Sequence, residues 1–361
     1  MQLPPPRAGL TFADRGMPFS GFPRGWYQAA WSAELAVGDV RPLRYFDTEL
    51  VIYRSAEGQA HVLDAFCRHY GAHLGYGGKV EGSSIRCPYH GWLWDREGRN
   101  AEVPYGDGRC AKRTIRTWPV VEASGIIFIW YAPDGSAPDW DPPSLPAQSA
   151  PGYFALYPGG THQELVYFPG QYVVENMADV VHVKFVHRFE EIPELLHCAP
   201  DGRRFKAVFQ GRAPARGGYV HMVLTQEAYG VGLIRTETAD ALETVGLTAM
   251  TPVDRGSMLM CFSRWAKCDD PKLEGQQPTG KALRYIQNNI GEALRPDGDR
   301  PIWENMRYPS NPGPIYTRDE ARSLRLVRKW TEQFYHGTGS RDEQPDEQPD
   351  EQTSVPSECQ E

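Results

Sequence analysis

The 361-residue chain lacks any long hydrophobic run: nowhere do about 18 apolar residues follow one another, the length that a membrane-spanning helix needs. The N-terminal segment MQLPPPRAGLTFADRG lacks a basic stretch followed by an apolar core, so it does not resemble a secretory signal. The seven cysteines are few for this length and odd in number, which argues against a secreted disulfide framework. We therefore expect a cytoplasmic protein with no transmembrane segment.

The body of the chain also lacks an excess of charge of either sign. The sequence has 46 acidic and 38 basic residues and a net charge of -8. Eight of the acids, and no Lys or Arg, lie between Asp342 and Glu361, so the rest carries 38 of each sign. A neutral body gives no electrostatic reason to expect nucleic acid as a partner. The repeated DEQP segment has no hydrophobic pattern, which predicts an acidic disordered tail over 339–361.

Two patterns of secondary structure are present, and a Pro/Ser-rich segment separates them. Short segments rich in aromatic and β-branched residues, such as GWYQAAW and GIIFIWYA, predict a small all-β domain. Further along, several strand-like segments are followed by two amphipathic helical ones, which predicts an α+β domain. The predicted organisation is an N-terminal arm over 1–22, an all-β domain over 23–135, a linker over 136–152 and an α+β domain over 153–338.

Two Cys/His pairs in the all-β part have the spacing of a metal site. Cys67-Arg-His69 is followed, after 17 residues, by Cys87-Pro-Tyr-His90. One zinc ion is a candidate, and so is a Rieske [2Fe–2S] centre, which puts two thiolates on one iron and two imidazoles on the other. Zinc fingers usually pair Cys with Cys and His with His, so the alternation here favours the Rieske centre. Zinc, or a chance pairing, stays open at this point.

A second group of chemistry-bearing residues lies in the α+β part, at Asn176, Asp179, His182 and His187. The two histidines are five residues apart, about 140° around an ideal helix, so a helix break or bulge between them is needed before both imidazoles can face one metal. Asp179 lies one turn before His182 and is placed to hydrogen-bond it. Two histidines on a helix also have an ordinary interpretation as packed or surface residues.

A carboxylate would complete the two-His-one-carboxylate triad of a non-haem Fe(II) oxygenase. The late segment RPDGDRPIWENMRYP offers Asp297, Asp299 and Glu304. An ordinary solvated carboxylate at a helix start is the alternative interpretation of Asp299.

These segments together resemble a known family. CRHYGAHLGYGG and CPYHGWLWDREGR resemble the Rieske motif of the non-haem iron aromatic-ring and steroid oxygenases, and residues 176–187 are similar to the family's N-x2-D-x2-H-x4-H motif. Asp299-Arg-Pro-Ile-Trp resembles the D-x-x-I-W pattern of the 3-ketosteroid 9α-hydroxylase type, with Asp297 as the reserve. The resemblance implies a Rieske [2Fe–2S] domain followed by a helix-grip, START-like antiparallel-sheet catalytic domain. It implies [2Fe–2S] ligands at Cys67, His69, Cys87 and His90, ligands to one Fe(2+) at His182, His187 and Asp299, and catalytic roles for Asn176 and Asp179.

The same resemblance implies a function in steroid metabolism or lipid catabolism. A monooxygenase of this type inserts oxygen from O2 into a C–H bond of an apolar, steroid-like polycyclic substrate. The chain has no G-x-G-x-x-G fingerprint, so NAD(P)H electrons are expected through a separate reductase, with or without a ferredoxin. The family implies a homotrimer in which Asp179 connects the centres of neighbouring subunits. The alternatives are an aromatic-ring oxygenase or demethylase, a Rieske electron-transfer protein, and a lipid-binding protein without catalysis.

Overall fold

The structure is a computed structural model that describes residues 10–335 except 20, 107, 111, 148–149, 216, 239–242 and 310–317. The chain forms two units, which are described separately here: one contains the described residues of Met1–Trp31 and Val121–His336, and the other those of Ser32–Val120. The predicted acidic tail lies outside the described residues.

The elements are numbered in chain order. The strands are β1 Gly25–Trp31, β2 Val40–Tyr45, β3 Thr48–Arg54, β4 Ala60–Asp64, β5 Lys79–Glu81, β6 Ser84–Arg86, β7 Leu93–Trp94, β8 Asn100–Glu102, β9 Thr117–Trp118, β10 Val120–Ala123, β11 Ile126–Tyr131, β12 Thr161–Val166, β13 Glu194–Asp201, β14 Arg204–Ala215, β15 Gly218–Tyr229, β16 Leu233–Thr238, β17 Thr244–Asp254 and β18 Ser257–Ala266. The α-helices are α1 Gly170–Asn176, α2 Val181–Phe185, α3 Gly280–Asn289, α4 Arg300–Asn305 and α5 Arg318–Tyr335.

The Ser32–Val120 unit consists of two four-stranded antiparallel sheets with strand orders β2-β3-β4-β9 and β5-β6-β7-β8. A tight hairpin connects β2 and β3, where Phe46 and Asp47 both have positive φ, at 56° and 55°. Positive φ at both central residues matches the right-handed twist of the flanking strands. A buried core that includes Leu63 and Ile85 surrounds two loops, and these loops carry the Cys/His pairs.

A seven-stranded antiparallel sheet, in the order β12-β18-β17-β16-β15-β14-β13, forms the centre of the larger unit. One face of the sheet packs against helices: buried residues of β16 to β18, including Ile234, Met250 and Met260, share a core with Val174 of α1 and Phe334 of α5. Because α5 presents an apolar stripe to this core, the helix and the sheet face bury each other. Helices on one face of an antiparallel sheet confirm the predicted α+β class.

Strands β1 and β11 pair with each other and cover the opposite face of the large sheet. Trp26 of β1 and Phe128 of β11 share a buried core with Leu247 and Trp265 of the large sheet, all 2 % exposed or less. Both strands fall within the all-β domain predicted over 23–135. The predicted domain bounds therefore remain a prediction, beside a compact division at Trp31 and Val121.

In the larger unit, the sequence did not predict β12, β13 and α4. Strands β12 and β13 are the two edges of the large sheet, so they are partly exposed and lack the apolar alternation of a half-buried strand. Helix α4 is only six residues long, too short for a helical period to stand out in the sequence. No helix in the described part of the chain combines the length and apolar character needed to cross a membrane.

Candidate functional site

Two turns of the same construction carry the Cys/His pairs in the Ser32–Val120 unit. The Gly71 N–H donates to the Cys67 carbonyl at 2.9 Å, and the Gly91 N–H donates to the Cys87 carbonyl at 3.2 Å. Each cysteine N–H in turn donates to the carbonyl five residues on, at 2.9 and 2.8 Å. The two glycines have φ of 75° and 74°, a left-handed conformation that glycine adopts without steric cost. Each pair is therefore held at the end of a backbone turn.

The two thiols are buried and face each other. Cys67 and Cys87 are 2 % and 3 % exposed and are not in a disulfide. The hydrogen bond from the Cys67 thiol is the main cause that lowers the pKa of Cys87 to about 6, while burial opposes it and backbone N–H groups of Tyr89 and His90 assist it. The Trp94 indole N–H donates to the Cys67 Sγ at 3.3 Å. A thiolate at neutral pH suits a metal ligand, because it is the thiolate that binds metal.

The imidazoles of the two pairs lie close together, edge to face. The His69 and His90 ring centroids are 4.6 Å apart, and His69 stacks on Trp92 at 4.5 Å with an interplanar angle of 6°. Burial first, and then the neighbouring His90 and Arg113, lower the pKa of His69, which favours the neutral form that binds metal. The His90 Nδ1 is buried and has no hydrogen-bond partner among the described residues. An orphaned buried ring nitrogen is expected where a metal ligand is held.

The spacing of these four side chains distinguishes a cluster from a single ion. In the described part of the chain, a group of three or more ligand atoms all within 4.8 Å of one another occurs only at His182, His187 and Asp299. The four Cys/His side chains thus do not close around one point, as a tetrahedral zinc site requires. Two thiols on one side and two imidazoles on the other fit a [2Fe–2S] cluster.

The second candidate site lies in the larger unit, where the sequence separates the ligands widely. Asp299 Oδ2 is 3.3 Å from His187 Nε2, and its Oδ1 is 3.8 Å from His182 Nε2. The two imidazole centroids are 5.4 Å apart at 74°. The Asn176 side-chain amide lies 3.0 Å from the same His182 Nε2. Two imidazoles and one carboxylate that converge on one point are the donor set of a non-haem Fe(II) site.

The helical segment that carries the two histidines is broken twice, and one of the breaks lies where the sequence predicted it. Helix α1 ends at Asn176 and α2 spans Val181–Phe185, so one break precedes His182 and the helix ends again between the two histidines. Asp179, in the break, accepts the Val181 and His182 N–H groups at 3.0 and 3.2 Å through Oδ1. Its carbonyl lies 2.5 Å from His182 Nδ1. This contact orients the His182 ring, and because α2 ends at Phe185, His187 lies outside the helix.

Neighbouring groups shift the pKa of Asp179 and the pKa of His187 in opposite directions. Burial raises the pKa of Asp179, but the hydrogen bond and charge of His182 and two backbone N–H groups outweigh it, so the net pKa is lowered. For His187, burial lowers the pKa, but the Asp299 carboxylate and then Glu292 outweigh it and raise the pKa. Glu292 Oε1 lies 4.0 Å from His187 Nδ1 and is half exposed. A ring held on both sides in this way has a fixed orientation.

Of the three carboxylates that the sequence offered, only Asp299 enters the site. It is 3 % exposed and immediately precedes α4, where its carbonyl accepts the Ile302 and Trp303 N–H groups at 2.9 Å. Asp297, the reserve candidate, is exposed and lies 3.5 Å from Arg188. Glu304 is bound by Arg300 at 3.0 Å, away from the imidazoles.

A cavity of about 300 Å³ opens beside His182, His187 and Asp299. Most of its wall is apolar, including Phe189, Phe209, Met222, Met260, Phe262 and Trp303. Because side chains alternate along a strand, only every second residue of β15, β16 and β18 reaches the cavity. A few polar groups interrupt the apolar wall, among them Gln226, Thr236 and Thr248. The volume lies at the lower end of the range typical of small-molecule sites.

Two contacts of the candidate ligands were missed at the sequence level. Trp94, which donates to Cys67, lies two residues beyond the HGW segment, and only the strand pairing of β7 places it against the turn. Glu292 reaches His187 from a 3₁₀ helix 105 residues away, for which no local pattern gives a signal.

Comparisons with known proteins match two parts of the chain to family models. Residues 129–335 match the family model of the 3-ketosteroid 9α-hydroxylase C-terminal domain, and residues 25–119 match that of the Rieske [2Fe–2S] domain. The oxygenase component of a 3-ketosteroid-9-alpha-monooxygenase from Rhodococcus rhodochrous is 26% identical over an alignment of 354 residues that covers 93% of this chain and 89% of that protein. Cholesterol 7-desaturase from Xenopus laevis is 28% identical over an alignment of 344 residues that covers 87% of this chain and 72% of that protein.

Among solved structures, dicamba monooxygenase bound to dicamba superposes with a TM-score of 0.64 at 22% sequence identity. The match covers 88% of this chain and 98% of the other. At this identity the likeness concerns the fold.

Proposed function

Since the chain belongs to the 3-ketosteroid 9α-hydroxylase family and carries a Rieske [2Fe–2S] domain, we propose that it is a Rieske monooxygenase that hydroxylates a C–H bond of a steroid-like substrate. The observation that carries this proposal is the convergence of two imidazoles and one buried carboxylate on one point beside an apolar cavity. An electron-transfer protein with only a cluster has no use for that second site.

The proposed assignments follow the two donor sets. Cys67, His69, Cys87 and His90 would hold the [2Fe–2S] cluster, and His182, His187 and Asp299 would hold the mononuclear iron. When bound, these groups supply single electrons and the activation of O2. The chain itself supplies ligand geometry, a dry site and a positioned substrate.

Asn176 and Asp179 are proposed to act around His182. The Asn176 amide, 3.0 Å from His182 Nε2, lines the cavity and would direct a hydrogen bond toward the reacting centre. Asp179 holds His182 through its carboxylate and its carbonyl, which fixes the ring orientation. Asp179→Asn is expected to retain both metals while turnover falls about tenfold or more. Full turnover with both metals present would contradict this role.

The proposed substrate class is apolar and polycyclic, which places the activity in steroid metabolism or lipid catabolism. Support comes from the largely apolar wall of the cavity and from its volume of about 300 Å³, which lies within the range of small-molecule sites. The relatives named for 3-ketosteroid and cholesterol chemistry point the same way.

The proposed assembly is a head-to-tail homotrimer that receives electrons from an NAD(P)H-dependent reductase, with or without a ferredoxin. A heterologous interface that closes into a ring is one of the arrangements that symmetry allows. A cytoplasmic location goes with this proposal, because the reductase draws on NAD(P)H. A fully active monomer in light scattering would contradict the trimer.

The central experiment has two stages. Anaerobically purified protein is first analysed for metal; about three irons and two acid-labile sulfides per chain are expected. The protein is then incubated with NADH, a reductase and a panel of 3-ketosteroids, sterols and substituted aromatic compounds, and products are identified by mass spectrometry. A singly hydroxylated steroid with coupled O2 consumption supports the proposal. Turnover of the aromatic compounds alone would overturn the substrate class.

A further inference from the structure

A row of polar side chains crosses the large sheet in the wall of the cavity. Gln226 of β15 pairs with Thr236 of β16 in the antiparallel register. Gly246 of β17 pairs with Thr236 on one side and with Arg264 of β18 on the other. The three residues of this row that have polar side chains all line the cavity. The row is therefore a polar band across an otherwise largely apolar wall.

The polar band lies toward the end of the cavity remote from the candidate iron ligands. Met260 of β18 lines the cavity and shares a buried core with Trp303 of α4, the helix that follows the candidate carboxylate ligand. Arg264 lies four residues further along β18 on the same face, about 13 Å away at the usual rise of a strand. Phe262, between them, also lines the cavity. The cavity thus has an apolar end and a polar end.

The Arg264 side chain is held across the sheet at the polar end. Gly246, its partner in the row, has no side chain, and a Cβ there would lie 3.8 Å from the Arg264 Cζ. The guanidinium Nη1 donates to the Thr244 Oγ1 at 3.1 Å, and the Thr244 hydroxyl lies 2.7 Å from that of Thr238. Both threonines are buried. A side chain that is positioned before binding loses less conformational entropy when a ligand arrives.

Arg264 also gives the cavity a permanent charge. Among the described residues that line the cavity, it is the only Lys or Arg. Its planar guanidinium has five N–H donors and no acceptor, and the bond to Thr244 occupies one of them. In a partly dry site, a hydrogen bond from a charged donor to an oxygen is stronger than in water. A pure hydrocarbon would desolvate this donor and give it no acceptor in return.

We propose that Arg264 is a specificity-determining residue that binds a carbonyl or carboxylate oxygen of the substrate, at the end remote from the carbon that is hydroxylated. The inference rests on the proposed function and narrows its substrate class to polycyclic compounds with an oxygen at one end. An oxygen held at the polar end and rings held at the apolar end fix which C–H bond faces the iron ligands. Compounds of the same shape without the oxygen are therefore poor substrates.

The first test is a binding measurement on the unsubstituted, full-length holoenzyme. Androstane, its monoketones at either end of the ring system and the corresponding carboxylic acids are compared by anaerobic equilibrium dialysis. The ketones or the acids are expected to bind about 10- to 100-fold more tightly than the hydrocarbon, the usual effect of a hydrogen bond to a charged group. Tighter binding of only one of the two classes identifies the oxygen that is recognised. Equal affinity for all the compounds would overturn the proposal.

The second test assigns this preference to Arg264. Arg264→Met keeps an unbranched side chain and removes the charge and the donors. Its affinity for the oxygenated compounds is expected to fall to that for androstane, whereas androstane binds as before. Arg235→Met is the matched control, because Arg235, on β16, donates to the Ser144 carbonyl at 3.1 Å and does not line the cavity. A retained preference in Arg264→Met, or an equal loss in the control, would overturn the proposal.

Turnover separates this inference from the proposed function. With NADH and a reductase added, kcat/KM for the oxygenated compounds is expected to fall about 10- to 100-fold in Arg264→Met, mainly through a higher KM. Binding that depends on the substrate oxygen but leads to no product in the unsubstituted enzyme would contradict the proposed function alone. Hydroxylation of androstane as efficient as that of its ketones and acids would overturn the role of Arg264 alone.

Discussion

In the Ser32–Val120 unit the two proposed ligand cysteines are 20 residues apart, whereas in the larger unit His182 and Asp299 are separated by 117 residues. The first site is built from two backbone turns with matching hydrogen bonds. The second is built from a broken helix and the residue before α4, which are separated along the chain by the six strands β13 to β18. Local turns encode the first geometry, and tertiary packing encodes the second.

This difference predicts that the two sites lose metal independently. Cys87→Ser should abolish the absorbance of the [2Fe–2S] cluster and all reductase-dependent turnover, while the mononuclear iron stays bound. Cys110→Ser, at another buried cysteine of the same unit, is the control and should keep the cluster. Metal analysis with optical spectroscopy checks this. Loss of both metals from Cys87→Ser would show that the sites are coupled.

A carboxylate substitution tests the long-range site in the same way. Asp299→Asn should weaken iron binding at least about 100-fold, because it removes a ligand rather than an outer contact, and should leave the cluster spectrum unchanged. Asp297→Asn is the matched control, since Asp297 is exposed and faces Arg188. Iron titration of the demetallated proteins measures the difference. The reverse order of effects would make Asp297 the ligand.

Gly71 and Gly91 occupy equivalent positions in the two turns that carry the Cys/His pairs. Gly71 and Gly91 have nearly equal φ, but a Cβ at Gly91 would meet the Pro104 Cγ at 2.9 Å, whereas a Cβ at Gly71 would meet nothing within 4 Å. Gly71→Ala should cost about 1 kcal/mol of stability from backbone strain, and Gly91→Ala about 2–3 kcal/mol, because a steric clash is added. Thermal melts that follow the cluster absorbance compare them. An equal loss of stability in both variants would mean that Pro104 moves aside at no energetic cost.

The smallest effect is expected at Glu292, on the rim of the iron site. Its carboxylate is half exposed and 4.0 Å from His187, so solvent weakens the interaction. Glu292→Gln should lower iron affinity by only about threefold. The same titration measures this. A loss near that of Asp299→Asn would indicate that Glu292 binds the metal directly.

The contrast between the sites also explains what the sequence could predict. The spacing alone predicts a metal site at Cys67, His69, Cys87 and His90, because each Cys/His pair lies in one turn. His182 and His187 are recognisable as a pair that needs a helix break between them, but the further break before Val181 is not, since it depends on the hydrogen bonds that Asp179 makes. The choice of Asp299 over Asp297 rested on a family resemblance; in the structure, burial separates the two.

The large sheet was predictable in its central strands and not at its edges. Strands β17 and β18 alternate apolar and polar residues or are largely apolar, and most of their residues are buried. Edge strands β12 and β13 are paired on one side only and show little apolar pattern. The packing of β1 and β11 on the back of this sheet has no local signal, because contacts between residues more than 100 positions apart create it.

Because side chains alternate along these central strands, substitutions at neighbouring positions are expected to have different effects. In β17, Thr248 faces the cavity, while its neighbours Leu247 and Ala249 pack against β1 and β11. A substitution of Thr248 is expected to change which substrate is accepted, and a substitution of Leu247 or Ala249 is expected to change the free energy of unfolding. Libraries that vary only the cavity-facing positions of β15 to β18 would therefore explore new substrates while leaving the supporting core at its original composition.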